Sequence, residues 1–236
     1  MKLAIFVQAR ITSKRFPKKI FAEINGKKII EILIAKLKKI KHIDKIVFLI
    51  PDTKKNKDLS KLLEKLNIEV FKGSENNVLE RYYLAAKKYN VKNIIRITSD
   101  CPLIDIKLSQ KIIKKFLSGD YNYVSNIDPP TFPDGMDIEI FKFKTLEQAW
   151  KNSKTKAEKE HVTVYMKKNE KKKFNIKSDK DLSKIRITLD YKEDLILLRK
   201  IFNYFKPDIH FGLNKIINLK NKKPNWFNIN KKYVLK

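Results

Sequence analysis

LAIFVQARITSKRFPKK, residues 3–19, is the stretch on which the reading of this chain turns. Leu3 to Ala9 is a β-rich apolar run, which predicts a buried first strand. A signal peptide is the other reading of such a start. Its apolar stretch runs only from Leu3 to Val7, however, and Gln8, Arg10 and Lys14 follow at once. The loop after the strand packs Arg10, Lys14, Arg15, Lys18 and Lys19 together with Thr12 and Ser13. A triphosphate needs dispersed cations and several hydrogen-bond donors in a concave loop, and this loop offers both. It carries no Walker signature, which argues against a P-loop NTPase. Basic loops are commonly just solvated. Its place after the first strand of an alternating chain is what raises the ligand-binding reading.

Outward from that loop, strand-like and helix-like segments alternate. Helical spacing covers residues 29–40, 58–66, 78–89 and 106–117. Strand-like runs cover 45–50, stopped by Pro51, and then 68–71, 93–98 and 121–126. Such β-α-β alternation predicts an α/β fold with a doubly wound, mainly parallel sheet, whose ligands sit beyond the carboxyl ends of the strands. After Asn126 the pattern changes. DPPTFPDGMDIEIF holds three of the eight prolines and reads as a loop entering a strand at 137–143. Helices are expected at 145–150, 157–166 and 191–205, a strand at 184–189, and a helix with a polar tail after 207. With no repeat and no linker, one domain over 1–236 is expected, with residues 127–180 as an inserted segment.

The 236 residues are 42% hydrophobic, which sets disorder aside, and no apolar run approaches the ~20 residues that span a bilayer. Cys101 is the single cysteine, so no internal disulfide is possible and a cytoplasmic setting is expected. The net charge of +28 would ordinarily suggest nucleic acid. Here 48 lysines against six arginines, scattered along the chain with abundant Ile and Asn, read as solvated helix surface with an AT-rich coding bias. The bias makes the surviving arginines informative. Arg10, Arg15, Arg81 and Arg96 all fall in candidate motifs, and a guanidinium grips phosphate or carboxylate in a two-pronged way that lysine cannot copy.

Asp100 and Asp190 each directly follow an expected strand, so both can reach the carboxyl edge of the sheet. Magnesium is typically held by one or two carboxylates plus phosphate oxygens and water. Each aspartate alone also fits a turn or helix N-cap, Asp190 especially. Arg96 lies in a strand, where a buried carboxylate is its alternative partner. Arg81 sits on a helix face, open to a ligand or to a surface pair. Asp134, Asp137 and Glu139 lie near a Gly turn and either meet acceptor hydroxyls or shape the loop. Glu160 and His161 form a pair that can orient a substrate group. Cys101 reads as packing, and His42 and His210 are assigned no role.

The pattern Arg-x-x-Ser-x-Arg-x-Pro-x-Lys, met by Arg10, Ser13, Arg15, Pro17 and Lys19, resembles the signature of the acylneuraminate and 3-deoxy-manno-octulosonate cytidylyltransferases. GSENNVLERYY (73–83), RITSDCPLID (96–105), FPDGMDIEIF (132–141), KEHVTVYM (159–166) and RITLDYKEDL (186–195) are similar to the spore-coat polysaccharide biosynthesis branch. The resemblance covers roughly residues 3 to 205. It implies a Rossmann-like nucleotidyltransferase that joins CMP from CTP to a sugar acid or related acceptor and releases pyrophosphate. Arg10, Ser13 and Lys19 would hold the phosphates, with Gln8, Ala9, Arg15 and Arg81 also around the nucleotide. Arg10, Lys19 and Asp100 would be catalytic. Asp100 and Asp190 would ligate Mg²⁺. Arg81, Asp137, Glu139, Glu160 and His161 are the acceptor-side candidates. Ser99 stands where the family usually has Gly. A homodimer is expected through about 145–177, with apolar Leu146, Trp150, Val162, Val164, Tyr165 and Met166; the alternative is that these pack on their own chain. Two rival classes are a nucleotide-sugar glycosyltransferase, which would release a nucleoside phosphate instead of pyrophosphate, and a basic nucleic-acid-binding protein. Neither nucleic acid nor membrane is expected as a partner.

Overall fold

The computed structural model describes residues 3–234; the outermost residues of the expected 1–236 domain lie outside the described residues. The strands are β1 (Leu3–Gln8), β2 (Glu23–Ile24), β3 (Lys27–Lys28), β4 (Lys45–Pro51), β5 (Glu69–Gly73), β6 (Asn93–Thr98), β7 (Tyr123–Ser125), β8 (Glu139–Lys142) and β9 (Lys173–Asn175). The helices are α1 (Ile29–Leu37), α2 (Lys57–Lys65), α3 (Val78–Lys88), α4 (Ile106–Ser118), α5 (Phe143–Asn152), α6 (Lys156–His161), α7 (Val164–Asn169), α8 (Lys192–Phe205) and α9 (Leu213–Lys222). Seven strands form one sheet in the order β5-β4-β1-β6-β8-β7-β9, while β2 and β3 pair separately. β1 is parallel to both β4 and β6, and β4 to β5. β8 alone runs against its neighbours β6 and β7. The mainly parallel α/β sheet is the expected one.

β1 shows why the sheet is covered on both faces. Leu3, Ile5 and Val7 point into one core cluster, shared with α1, α4 and α8. Ala4 and Phe6 point into the other, shared with α3 and α5. A strand buried on both faces reads as a continuous apolar run, which is what residues 3–7 are. The chain builds β4 and β5 on one side of β1 and then crosses to place β6 on the other. That reversal leaves a crevice at the carboxyl ends of β1 and β6, where open α/β sheets bind ligands.

Two expectations need correction. Residues 184–189 form no strand of the sheet. The free side of β6 is taken by β8, so this segment has no strand to join. It hooks over two loops instead: Arg186 bridges Asp134, Ile187 N donates to Asp134 O at 2.8 Å, and Leu189 N donates to Asp100 O at 2.9 Å. Gly135 permits the contact. Its φ is +111°, and a Cβ there would lie 2.6 Å from Thr188 N. The helix expected over 157–166 is two helices, α6 and α7, broken at Val162 with φ 59°. In the segment through which a homodimer is expected, Leu146, Val162 and Met166 are buried in the chain's own core and Trp150 stacks on Tyr83 with ring centres 4.1 Å apart.

Candidate active site

The loop after β1 is held in shape by its own backbone and by Asn56, the residue that precedes α2. Lys18 N donates to Ile11 O at 3.1 Å, and Ile11 N donates to Asn56 Oδ1 at 3.2 Å. Ile11 and Ile20 anchor its two ends in the core. The loop therefore arches over the crevice with its polar side chains free to enter it. A cleft of about 730 Å³ results, lined by Gln8, Ala9, Arg10, Ser13, Arg15, Lys19, Val78, Arg81, Thr98, Ser99, Asp100, Glu160, His161 and Asp190. Segments as far apart in sequence as Gln8 and Asp190 thus meet around one opening. Of the candidate residues named from the sequence, Arg96, Asp134, Asp137 and Glu139 are not among them.

At the centre is an ion cluster. Lys19 Nζ lies 2.7 Å from Asp100 Oδ2 and 2.7 Å from Asp190 Oδ1. Arg15 Nη2 lies 2.8 Å from the same Asp190 oxygen. Burial pushes the Asp190 carboxyl up, but Lys19 and then Arg15 outweigh it and hold it at about 2. Lys19 is driven the other way: burial lowers its ammonium, and the two aspartates more than restore it. Arg10 is half exposed and only 3.9 Å from Glu160 Oε1.

Arg81 differs from these. It projects from α3 and is 3% exposed. Its Nε and Nη1 have no hydrogen-bond partner among the described residues. Burial, with Arg10 acting in the same direction, lowers its guanidinium to about 10. A buried guanidinium without an anion is costly, so its presence on a cleft wall points to a ligand anion. Gln8 Oε1 is a third buried atom on that wall without a hydrogen-bond partner among the described residues.

Behind the cleft stands a support that the sequence reading did not pick out. Arg186 donates from Nε to Asp194 Oδ1 at 3.1 Å, from Nη1 to Asp134 Oδ2 at 2.6 Å, and from Nη2 to Asp194 Oδ2 at 3.0 Å and Asp190 Oδ2 at 3.3 Å. Asp194 is fully buried and caps α8 by accepting from Asp190 N and Tyr191 N at 2.8 and 2.9 Å. Asn230 donates to Asp194 Oδ1 at 2.7 Å, and Tyr233 stacks on Tyr191 at 3.6 Å, so the tail after α9 backs the site. Arginine scarcity was the signal that could have found Arg186, since it is one of only six.

The remaining candidates are placed elsewhere. Glu139 is 1% exposed, ion-paired with Arg96 and hydrogen-bonded by Tyr123 Oη at 2.6 Å, which leaves its carboxylate fully engaged inside the molecule. Asp137 lines a neighbouring cavity with Asp134, Phe132 and Arg186. Burial first, and then Asp134, Glu139 and Asp100, push its carboxyl up to about 7. Cys101 is buried with its thiol pushed well up by burial, so no thiolate nucleophile is at hand.

Comparison with known proteins shows the family. Residues 4–232 match a family model described as cytidylyltransferase. An uncharacterized protein of Methanocaldococcus jannaschii is 36% identical over 98% of this chain and 95% of its own length. The spore coat polysaccharide biosynthesis protein SpsF of Bacillus subtilis is 25% identical over 94% of this chain and 95% of its own. The solved structure of a cytidylyltransferase from Leptospira borgpetersenii superposes with a TM-score of 0.91 at 33% identity, covering 96% of this chain and 97% of that one.

Proposed function

The chain belongs to the cytidylyltransferase family and is a CTP-dependent nucleotidyltransferase, and from that premise we propose that it transfers CMP from CTP to a sugar acid or a related acceptor of surface-polysaccharide synthesis. The observation that carries the reading is the cleft itself, in which Arg81, two of whose buried nitrogens have no hydrogen-bond partner among the described residues, and the loop cations Arg10, Arg15 and Lys19 face one opening. The triphosphate lies under the loop, with Arg10, Ser13 and Arg81 as donors to its oxygens. An acceptor oxygen forms a bond to the α-phosphorus on one side while the bond to the bridging oxygen breaks on the other. Pyrophosphate departs onto Arg10 and Lys19. Catalysis is then positioning and charge neutralisation, with no covalent protein intermediate. The acceptor side is read as the part of the cleft lined by Glu160 and His161, with Asp137 in the neighbouring cavity.

The family implies Mg²⁺, and the donor set suits it. Asp100 Oδ2 and Asp190 Oδ1 both lie 2.7 Å from one nitrogen, so they are at most twice that distance apart. Among the described residues no group of three or more His, Cys, Asp or Glu is placed to hold a metal. Two carboxylates completed by phosphate oxygens and water are the usual magnesium arrangement, and Asp100 and Asp190 would hold the ion that way. When bound, Mg²⁺ would supply positive charge to the phosphates in the transition state.

The acceptor assignment draws on the name of SpsF and on the signature resemblance. A cytoplasmic setting and a homodimer go with the same reading, and no helix among the described residues is long and apolar enough to cross a membrane. The test is a screen of the four nucleoside triphosphates against a panel of sugar acids with pyrophosphate release as readout. Pyrophosphate from CTP with one sugar acid is expected. Release of free CMP from a CMP-sugar donor, with none from CTP, would replace this reading with a glycosyltransferase.

A further inference from the structure

We propose that Lys19 is the resident counter-ion of the Asp100–Asp190 pair, and that the nucleotide opens this pair to a divalent cation by drawing Lys19 onto its phosphates. The inference rests on the function proposed above and adds an order of binding to it.

The geometry is the starting point. One ammonium sits 2.7 Å from an oxygen of each aspartate, and all three side chains are mostly buried, with 9%, 24% and 15% of Lys19, Asp100 and Asp190 exposed. A magnesium ion bound by both aspartates needs its oxygens at about 2.0–2.1 Å, and so needs the space between them. Lys19 Nζ stands there. Ammonium and metal cannot both hold the same two oxygens at contact distance, because two cations would then be forced together in a poorly solvated cleft.

Charge counting leads to the same place. The two aspartates carry two negative charges. Lys19 and Arg15 are the cations set directly against them, since Arg186 is shared with Asp134 and Asp194. The pair is thus neutralised before any metal arrives. A divalent ion entering alone would leave the cluster with an excess of positive charge. A triphosphate brings the negative charge that accommodates the displaced cations, and it enters the same cleft.

The chain is built for that exchange. Ile20, next to Lys19, is fully buried, and Lys19 N donates to Phe16 O at 3.3 Å, so the backbone here is fixed. The lysine stem has four rotatable carbons, and Nζ can swing several ångströms without moving the loop. Arg15 is more than half exposed and freer still. Nucleotide and metal then assist one another, and by thermodynamic reciprocity each raises the affinity of the other by the same factor.

Manganese is the probe, with free Mn²⁺ followed by its paramagnetic resonance signal and no nucleotide present. The wild-type chain is expected to bind Mn²⁺ no more tightly than its Asp190→Asn variant. Lys19→Met and Lys19→Gln should each bind one Mn²⁺ at least tenfold more tightly than wild type, because the two aspartates are then left without their ammonium. Adding Asp190→Asn to either should abolish the gain. Three results overturn the proposal: natively folded Lys19 variants with unchanged Mn²⁺ affinity; a gain that survives Asp190→Asn; or a wild-type site, free of nucleotide, that Asp190→Asn weakens tenfold. The last needs no change at Lys19. Calorimetric titration of wild type with CTP is the separate arm. Absence of CTP binding defeats the proposed function whatever manganese does, whereas the three results above defeat the counter-ion role while CTP binding stands.

Discussion

Arg186 grips Asp194 through two nitrogens, at 3.1 and 3.0 Å, deep behind the cleft, and the nitrogen that makes the second contact also reaches Asp190 at 3.3 Å. The carboxylate at the mouth is therefore aimed by a pair that never enters the opening. Burial would lower the Arg186 guanidinium, but Asp194, Asp134 and Asp190 outweigh it and raise it.

Removing Arg186 should cost the whole fold. Arg186→Met leaves Asp194, which has no exposed surface, without its cation. Breaking a buried pair by removing one partner typically costs ~3–5 kcal/mol. Urea unfolding should show a loss of that order. Arg186→Lys keeps the charge but not the two-pronged grip, so it should fold and show a lower kcat with CTP affinity changed less than threefold. A stable Arg186→Met protein would dismiss this account.

Arg81 should behave in the opposite way. Its guanidinium is buried and two of its nitrogens lack a hydrogen-bond partner among the described residues, so Arg81→Met should leave stability unchanged or raise it. CTP affinity should fall about 10- to 100-fold, the value of one charge-assisted hydrogen bond of ~1.5–3 kcal/mol. A thermal melt and a calorimetric titration on the same sample decide the matter. Unchanged affinity would remove Arg81 from the nucleotide site.

Chelation and the two aspartates make one experiment. Pyrophosphate release should stop with EDTA and return with Mg²⁺ or Mn²⁺. Asp100→Asn and Asp190→Asn should each remove most turnover, and the double variant should be little worse than either, because one ion is lost in every case. Additive losses would separate the two residues.

Lys36 supplies a test of the core. It is fully buried, donates to Phe211 O at 3.1 Å and lies 5.2 Å from the centre of the Phe211 ring. Burial lowers its ammonium to about 8, against the weaker pull of Asp105 and Asp208. A group charged less readily folded than unfolded destabilises the fold below its folded pKa, and this cost fades as pH rises from about 8 to about 10.5. Lys36→Met should therefore be more stable than wild type at pH 7 by about 1–3 kcal/mol, after allowing for the lost hydrogen bond. The gap should close by about pH 10.5. A gap that is constant with pH would place the effect in packing instead of charge.

Much of this was legible in residue order. Alternation of apolar runs and helical spacing marked β1, β4, β6 and α1 to α4, because those signals are local: side chains recur at the period of the element that holds them. The phosphate loop was legible for a related reason, since Arg10, Ser13, Arg15 and Lys19 lie within ten residues of one another. Antiparallel β8 was not legible, because strand direction depends on which partner edge is free. The segment around Arg186 misled for the same reason. Its alternation is that of a strand, but β8 already occupies the edge that it would have joined.

Chemistry-bearing residue types were written in the chain; their partners were not. Sequence order put Asp100 after a strand that forms and Asp190 after one that does not, and nothing in it put Lys19 between them or set Glu139 against Arg96 instead of in the cleft. Nor did it show that Asn230, from the tail, would hold Asp194. A charged side chain in a partly buried place settles by exchanging solvation for whichever opposite charge the fold brings within 3 Å, and that choice depends on distances through space that span up to 171 positions of chain.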